Sequence, residues 1–155
     1  LPISLSKRIA LAFAALAAFG ILAPPEARAQ SEQIRRFVRL YDAARPGADS
    51  LQQITLELDP SGRAVMTMRF PGYTKTAAGV PVTSVFERGT WSVANQYAIV
   101  HFVRRANGIE GKHDAYKPED VALTFSLGFR CTLKLERDDA NVFGKDGLRL
   151  KGRGC

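Results

Sequence analysis

The chain is poor in the groups that chemistry needs: 155 residues hold two His, two Cys, two Met and one Trp. Neither His101 nor His113 has a nucleophile arrangement near it in sequence. Ser92 lies in a strand-like run rather than on the strand-to-helix elbow that exposes a nucleophilic serine. Strand–helix–strand spacing occurs nowhere, which excludes a parallel α/β architecture. The longest apolar run, residues 9–22, is about fourteen residues, short of the roughly twenty that span a bilayer. No Cys follows that run, so a lipid-anchored leader is unsupported. These absences argue against an enzyme and require neither cofactor nor metal.

What is present begins with an export signal. Lys7 and Arg8 precede the apolar run; Pro24 and Pro25 end it as helix breakers, and Ala27-Arg28-Ala29 supplies the small residues of a cleavage site. This is the three-part pattern of a secretory signal peptide over residues 1–29, cut after Ala29. It predicts a bacterial periplasmic protein starting near Gln30. Losing the leader removes three cations and one anion, lowering the net charge from +7 to about +5. A basic field of that size suits anionic partners, while export disfavours nucleic acid.

The rest of the chain alternates. Ile54, Leu56 and Leu58, then Met66, Met68 and Phe70, flank the turn Asp59-Pro60-Ser61-Gly62. That is a β-hairpin with one buried face, its turn preset by Pro60 and released by Gly62. Strand-like runs follow at 82–93, 97–104, 121–125, 129–136 and 148–151. The 97–104 run is apolar on both faces, which predicts burial on both sides. Residues 71–81 and 105–119 read as loops, with Tyr73 to Val80 a possible flap. Residues 31–44 stay open: Ile34, Phe37, Val38 and Tyr41 are spaced for a helix that Ser31 could cap, yet Phe37 to Tyr41 also suits a strand.

Short links and period-two alternation predict an all-β, small antiparallel up-and-down barrel of about eight strands, one domain over residues 30–155. The inward set includes Ile54, Leu56, Met66, Met68, Phe102, Phe125, Phe129, Leu133, Leu135 and Leu150. Its size predicts a mostly filled core.

The segments Arg45 to Ser50, Ile54 to Gly62 and Phe86 to Val93, with Leu148-Arg149-Leu150 at the end, resemble the lipocalin-like N-terminal barrel of NlpE-type copper-resistance and envelope-stress lipoproteins. The resemblance implies a first strand over residues 36–43, bringing the count to eight, and a role in envelope homeostasis. It departs from the family where a CxxC pair stands, because Gly47 and Ser50 occupy those positions. Without two thiolates, soft Cu(I) binding and thiol exchange lose their ligands there.

Four candidate sites remain. Cys131 and Cys155 are expected to form a disulfide in an oxidising compartment. Arg104, Arg105, Lys112 and His113 form a basic set that could meet a ligand or anion, such as anionic envelope lipid, or an envelope protein; a monomer is expected. Met66 and Met68 could be drawn with His101 or His113 as a copper site, but core packing explains both Met. Glu110, Asp114, Glu119 and Asp120 could hydrolyse a glycan only if two of them faced each other. A lipocalin-like carrier of a small apolar ligand is the alternative to a binding module.

Overall fold

The computed structural model describes residues 25–46, 51–74, 77–144 and 147–155. Each alternating run forms a strand that pairs antiparallel with the next. These are β1 (Arg39–Pro46), β2 (Leu51–Leu58), β3 (Arg63–Thr74), β4 (Pro81–Ala94), β5 (Tyr97–Ile109), β7 (Lys117–Leu127), β8 (Thr132–Asp138) and β9 (Arg149–Gly152). β9 returns to pair with β1, so eight strands close into the expected up-and-down barrel. A ninth, β6 (Lys112–His113), stands outside the eight and pairs with the end of β5. Helix α1 (Pro25–Phe37) precedes the barrel.

The central hairpin forms as read. Ile54 and Leu56 lie across from Met68 and Met66. In its turn the Asp59 carboxylate accepts the backbone N–H groups of Ser61 and Arg63, and Gly62 takes φ +86°. Trp91 fastens that turn to β4, donating its backbone N–H to the Gly62 carbonyl and its indole N–H to the Asp59 carbonyl, each at 2.8 Å.

Side chains fill the interior. Tyr41, Phe86, Phe102, Phe125, Leu56 and Leu123 are among the fully buried residues. An eight-stranded barrel is about the size that its own side chains can occupy.

The open N-terminal segment turns out to be both elements in succession. Pro25 is the first described residue and lies in a helix that runs to Phe37; the apolar run and Pro24 before it lie outside the described residues. Ser31 lies inside that helix, not at its cap. Phe37 is buried against Trp91, ring centroids 6.4 Å apart, and Tyr41 donates its hydroxyl to the Phe37 carbonyl at 2.8 Å. The first strand therefore begins at Arg39, three residues later than the resemblance implies. A helix that plugs one end of the barrel accounts for the helical spacing of Ile34 and Phe37.

Other expectations are corrected. Phe129 is not inward: it sits 83% exposed in a 3-10 turn (Phe129–Cys131) ahead of β8. β5 is not buried on both faces, because Ile99 and Val103 are exposed while Ala98, Val100 and Phe102 point inward. Residues 71–74 belong to β3, and residues 105–109 extend β5. Lys75 and Thr76 of the expected flap lie outside the described residues, as do Gly47 and Ser50.

Close packing makes two outcomes testable. A Cβ on Gly89 would lie 2.5 Å from the Ala64 carbonyl oxygen and 2.6 Å from Phe102 Cδ1. Gly89→Ala should therefore lower stability by about 1 to 3 kcal/mol, read from urea unfolding. Burial pushes the Tyr41 hydroxyl up to about 12, against an opposing pull from Arg39. An unfolded tyrosine ionises near 10, so this group's stabilisation is complete below pH 10 and is lost as pH rises through 12. The loss is roughly 2 to 3 kcal/mol. Tyr41→Phe should flatten the alkaline limb of the urea midpoint across that window.

Candidate functional site at the loop end of the barrel

β1, β3, β5 and β8 end, and β2, β4, β7 and β9 begin, at one end of the barrel, opposite the helix. Strands β4 and β5 keep one mutual register from Val82↔Ile109 to Ala94↔Tyr97. Each is displaced against its other neighbour, β3 between Ala64 and Met66 and β7 between Phe102 and Arg104. Both strands thus change which parity faces inward. Trp91 and Val100 point in below the shift; Phe86, Ser84, Arg105 and Asn107 point in above it.

The shift separates the basic set. Arg105 faces the inside of the mouth, its guanidinium 5.6 Å from the Phe86 ring and 3.8 Å from the Glu119 carboxylate. Arg104 faces out, 4.6 Å from the Tyr116 ring. Lys112 and His113 lie on β6, exposed on the outer side. The structure brings Arg104 and His113 into one outer feature, places Arg105 in another, and leaves Lys112 on the rim.

That outer feature is a strap. His113 pairs with Gly108, which pairs with Thr83, so the three form a row across the outer wall. Gly108 contributes no side chain, and a Cβ there would lie 2.5 Å from the Lys112 carbonyl oxygen. His113 can therefore cross it to Thr83, with Nε2 and Oγ1 2.8 Å apart. Tyr116 continues the cover, and its hydroxyl is pushed up by burial and then by its hydrogen bond to Glu87. Beneath lie Val85 and Ala106, buried yet separate from the barrel core. The strap seals a small apolar cluster on the outside, which the sequence reading as a loop missed.

The inner mouth is polar. Ser84 donates to Asn107 Oδ1 at 2.8 Å, and Gln52 donates to Met68 Sδ at 3.3 Å. From the β8–β9 link Phe143 enters the core; the Asp138 carboxylate holds its N–H at 2.8 Å and Arg45 donates to its carbonyl at 3.1 Å. Alternation gives no signal for Phe143, since it comes from a charged, Gly-containing link.

The other candidate groups are dispersed. Met66 and Met68 are buried inside the barrel, while His101 lies on the outer wall, 2.6 Å from Asp120, and His113 lies in the strap. Glu110 pairs with Arg69 at 3.3 Å and Glu119 with Arg105. Among the described residues no group of three His, Cys, Asp or Glu is placed to hold a metal, and no helix is long and apolar enough to cross a membrane.

At the helix end, Cys131 and Cys155 form a disulfide. Arg39 Nη1 donates to Cys131 Sγ at 3.0 Å and also to Cys155 Sγ. Alongside, an open groove of about 710 Å³ runs over the outer wall, lined by residues 42–44 of β1, 53–55 of β2 and 151–155 of the tail. The Arg153 guanidinium grips Asp42 on that wall, one bond at 2.8 Å, and holds its carboxyl below the usual range. Comparison with protein-family models, curated proteins and solved structures finds no match to this chain.

The bridge joins residues 24 apart, so it restricts the unfolded chain by roughly 3 to 3.5 kcal/mol in the chain-entropy account. Replacing both cysteines with Ser should lower the unfolding free energy by about that amount. Reductant should reproduce the loss in the unaltered protein, and an unchanged urea midpoint would contradict it.

Proposed function

We propose that the chain is a non-enzymatic β-barrel binding module of the bacterial periplasm, working in envelope homeostasis through the outside of its wall. The observation that carries this reading is the filled interior. Phe86, Phe102, Phe125 and Tyr41 occupy the barrel axis, and the 710 Å³ groove is on the outer wall. A partner larger than a small molecule has the exterior and the rims to bind. The periplasmic setting rests on the leader pattern of residues 1–29, and the disulfide suits an oxidising compartment. The envelope role rests on the resemblance to NlpE-type barrels.

A lipocalin-like carrier is the second reading, favoured by the polar inner mouth. Ser84, Asn107 and the Arg105–Glu119 pair above Phe86 could hold the head of an amphiphile whose tail displaced the Phe143 plug.

Native mass spectrometry of protein purified from its envelope separates the two. The module reading expects a mass that begins near Gln30, carries the disulfide and holds no small molecule, together with a macromolecular partner recovered by crosslinking in the envelope. A stoichiometric small ligand, lost on Ser84→Leu, would overturn it in favour of the carrier.

A further inference from the structure

Phe129 is the most exposed large apolar side chain among the described residues, at 83%. It is held there by a built turn. Arg130 and Cys131 both take positive φ, 51° and 52°, a conformation that costs a non-glycine residue stability and persists only where surroundings impose it. The surroundings are the disulfide to Cys155 and the bond from the Gly128 N–H to the Thr132 carbonyl at 2.7 Å. The Arg130 guanidinium stacks over the Phe129 ring, 5.2 Å from its centroid.

The outer wall next to this turn is basic. Register places Lys134 beside Arg149 and Thr132 beside Lys151, with Lys151 next to Asp42 on β1. Asp42 is taken by Arg153 and Glu136 by Lys134. Arg149 and Lys151 are exposed and make no ion pair at contact distance among the described residues, although Arg149 adds to the pull of Ser126 and Lys134 that lowers the Glu136 carboxyl. Strand rise puts Arg149 and Lys151 within about 10 Å of the turn. At the loop end Arg69 and Arg105 are each paired with a carboxylate, and the exposed Lys112 and Lys117 there have no large exposed apolar side chain as bare as Phe129 beside them.

We infer that the β7–β8 turn and the outer wall of β8 and β9 form a docking surface for an anionic lipid leaflet. Phe129 enters the head-group boundary, and Arg130, Arg149 and Lys151 meet the phosphates. A bare aromatic tip flanked by cations fits a surface that is apolar just beneath a layer of negative charge. An acidic protein would match the cations but leave the ring without an apolar phase. The inference rests on the module reading and names its partner. It also moves the lipid contact from Arg104, Arg105, Lys112 and His113 to the opposite end of the barrel.

The test is co-sedimentation of the envelope-purified protein with vesicles of phosphatidylethanolamine and phosphatidylglycerol, against phosphatidylcholine alone. Binding should require phosphatidylglycerol and weaken as salt screens the surface. Each cation at an anionic surface is worth about fivefold, so Arg149→Gln with Lys151→Gln should reduce partitioning about 25-fold. Phe129→Ser should reduce it roughly tenfold with an unchanged melting temperature, since the ring is already in water. Lys112→Gln with Lys117→Gln, at the other end, should leave it unchanged. Vesicle binding that ignores the Phe129 and Arg149/Lys151 substitutions overturns the surface. If no vesicles bind while a crosslinked envelope protein is lost on those same substitutions, the lipid inference fails and the module reading stands. If neither vesicles nor envelope protein binds, both fail.

Discussion

The barrel depends on a single non-local ladder. Every other pairing in the barrel joins strands adjacent in sequence, save that β5 reaches β7 past the short outside β6, but β1 must find β9 across the whole domain, and it does so over two register pairs, Tyr41↔Gly152 and Asp42↔Lys151. Without it the sheet would leave two long edges open to other chains. Three interactions reinforce the seam. The disulfide ties the tail to the start of β8, Arg153 grips Asp42, and the Arg153 N–H reaches the Leu40 carbonyl at 2.9 Å. Gly152 has no side chain because Arg39 Cδ would sit 2.6 Å from its Cβ, and that approach brings the guanidinium to the two sulfurs.

Closure divides the molecule into surfaces with different chemistry. The inside is consumed by packing, the loop end by internal ion pairs and a strap, and the helix end by α1 and the disulfide. On the wall that the seam creates, Arg149 and Lys151 are exposed without an ion pair among the described residues, as are Lys112 and Lys117 at the loop end. Carboxylates take Arg69 and Arg105 near the loops, while on β8 the one carboxylate facing this wall, Glu136, is already held by Lys134.

Much of the fold was legible. The alternation of Ile54, Leu56, Met66 and Met68 around an Asp-Pro-Ser-Gly turn predicts the hairpin that forms, and the strand count predicts the barrel. The pairing of Cys131 with Cys155 was foreseeable from ladder spacing, since Thr132 faces Lys151 as a turn in the early 140s requires. Less of the surface could be read. Phe129 shares parity with Leu133, and period two cannot see that the intervening Arg130 and Cys131 turn the chain. Arg104 shares parity with Phe102, and only the displaced ladder against β7 puts Arg105 inside in its place.

By itself the sequence determined the architecture, because a half-buried sheet needs period-two alternation and alternation is written residue by residue. The disulfide partners belong to the same class, because the only two cysteines of the chain leave one pairing within it. Tertiary structure alone decided which charges remain free, that Phe143 and α1 fill the ends of the barrel, and that Phe129 stands in solvent. Each of those depends on which residues of distant strands face one another. A one-residue displacement reverses every facing beyond it, and no pattern along a single strand records where its neighbour slips.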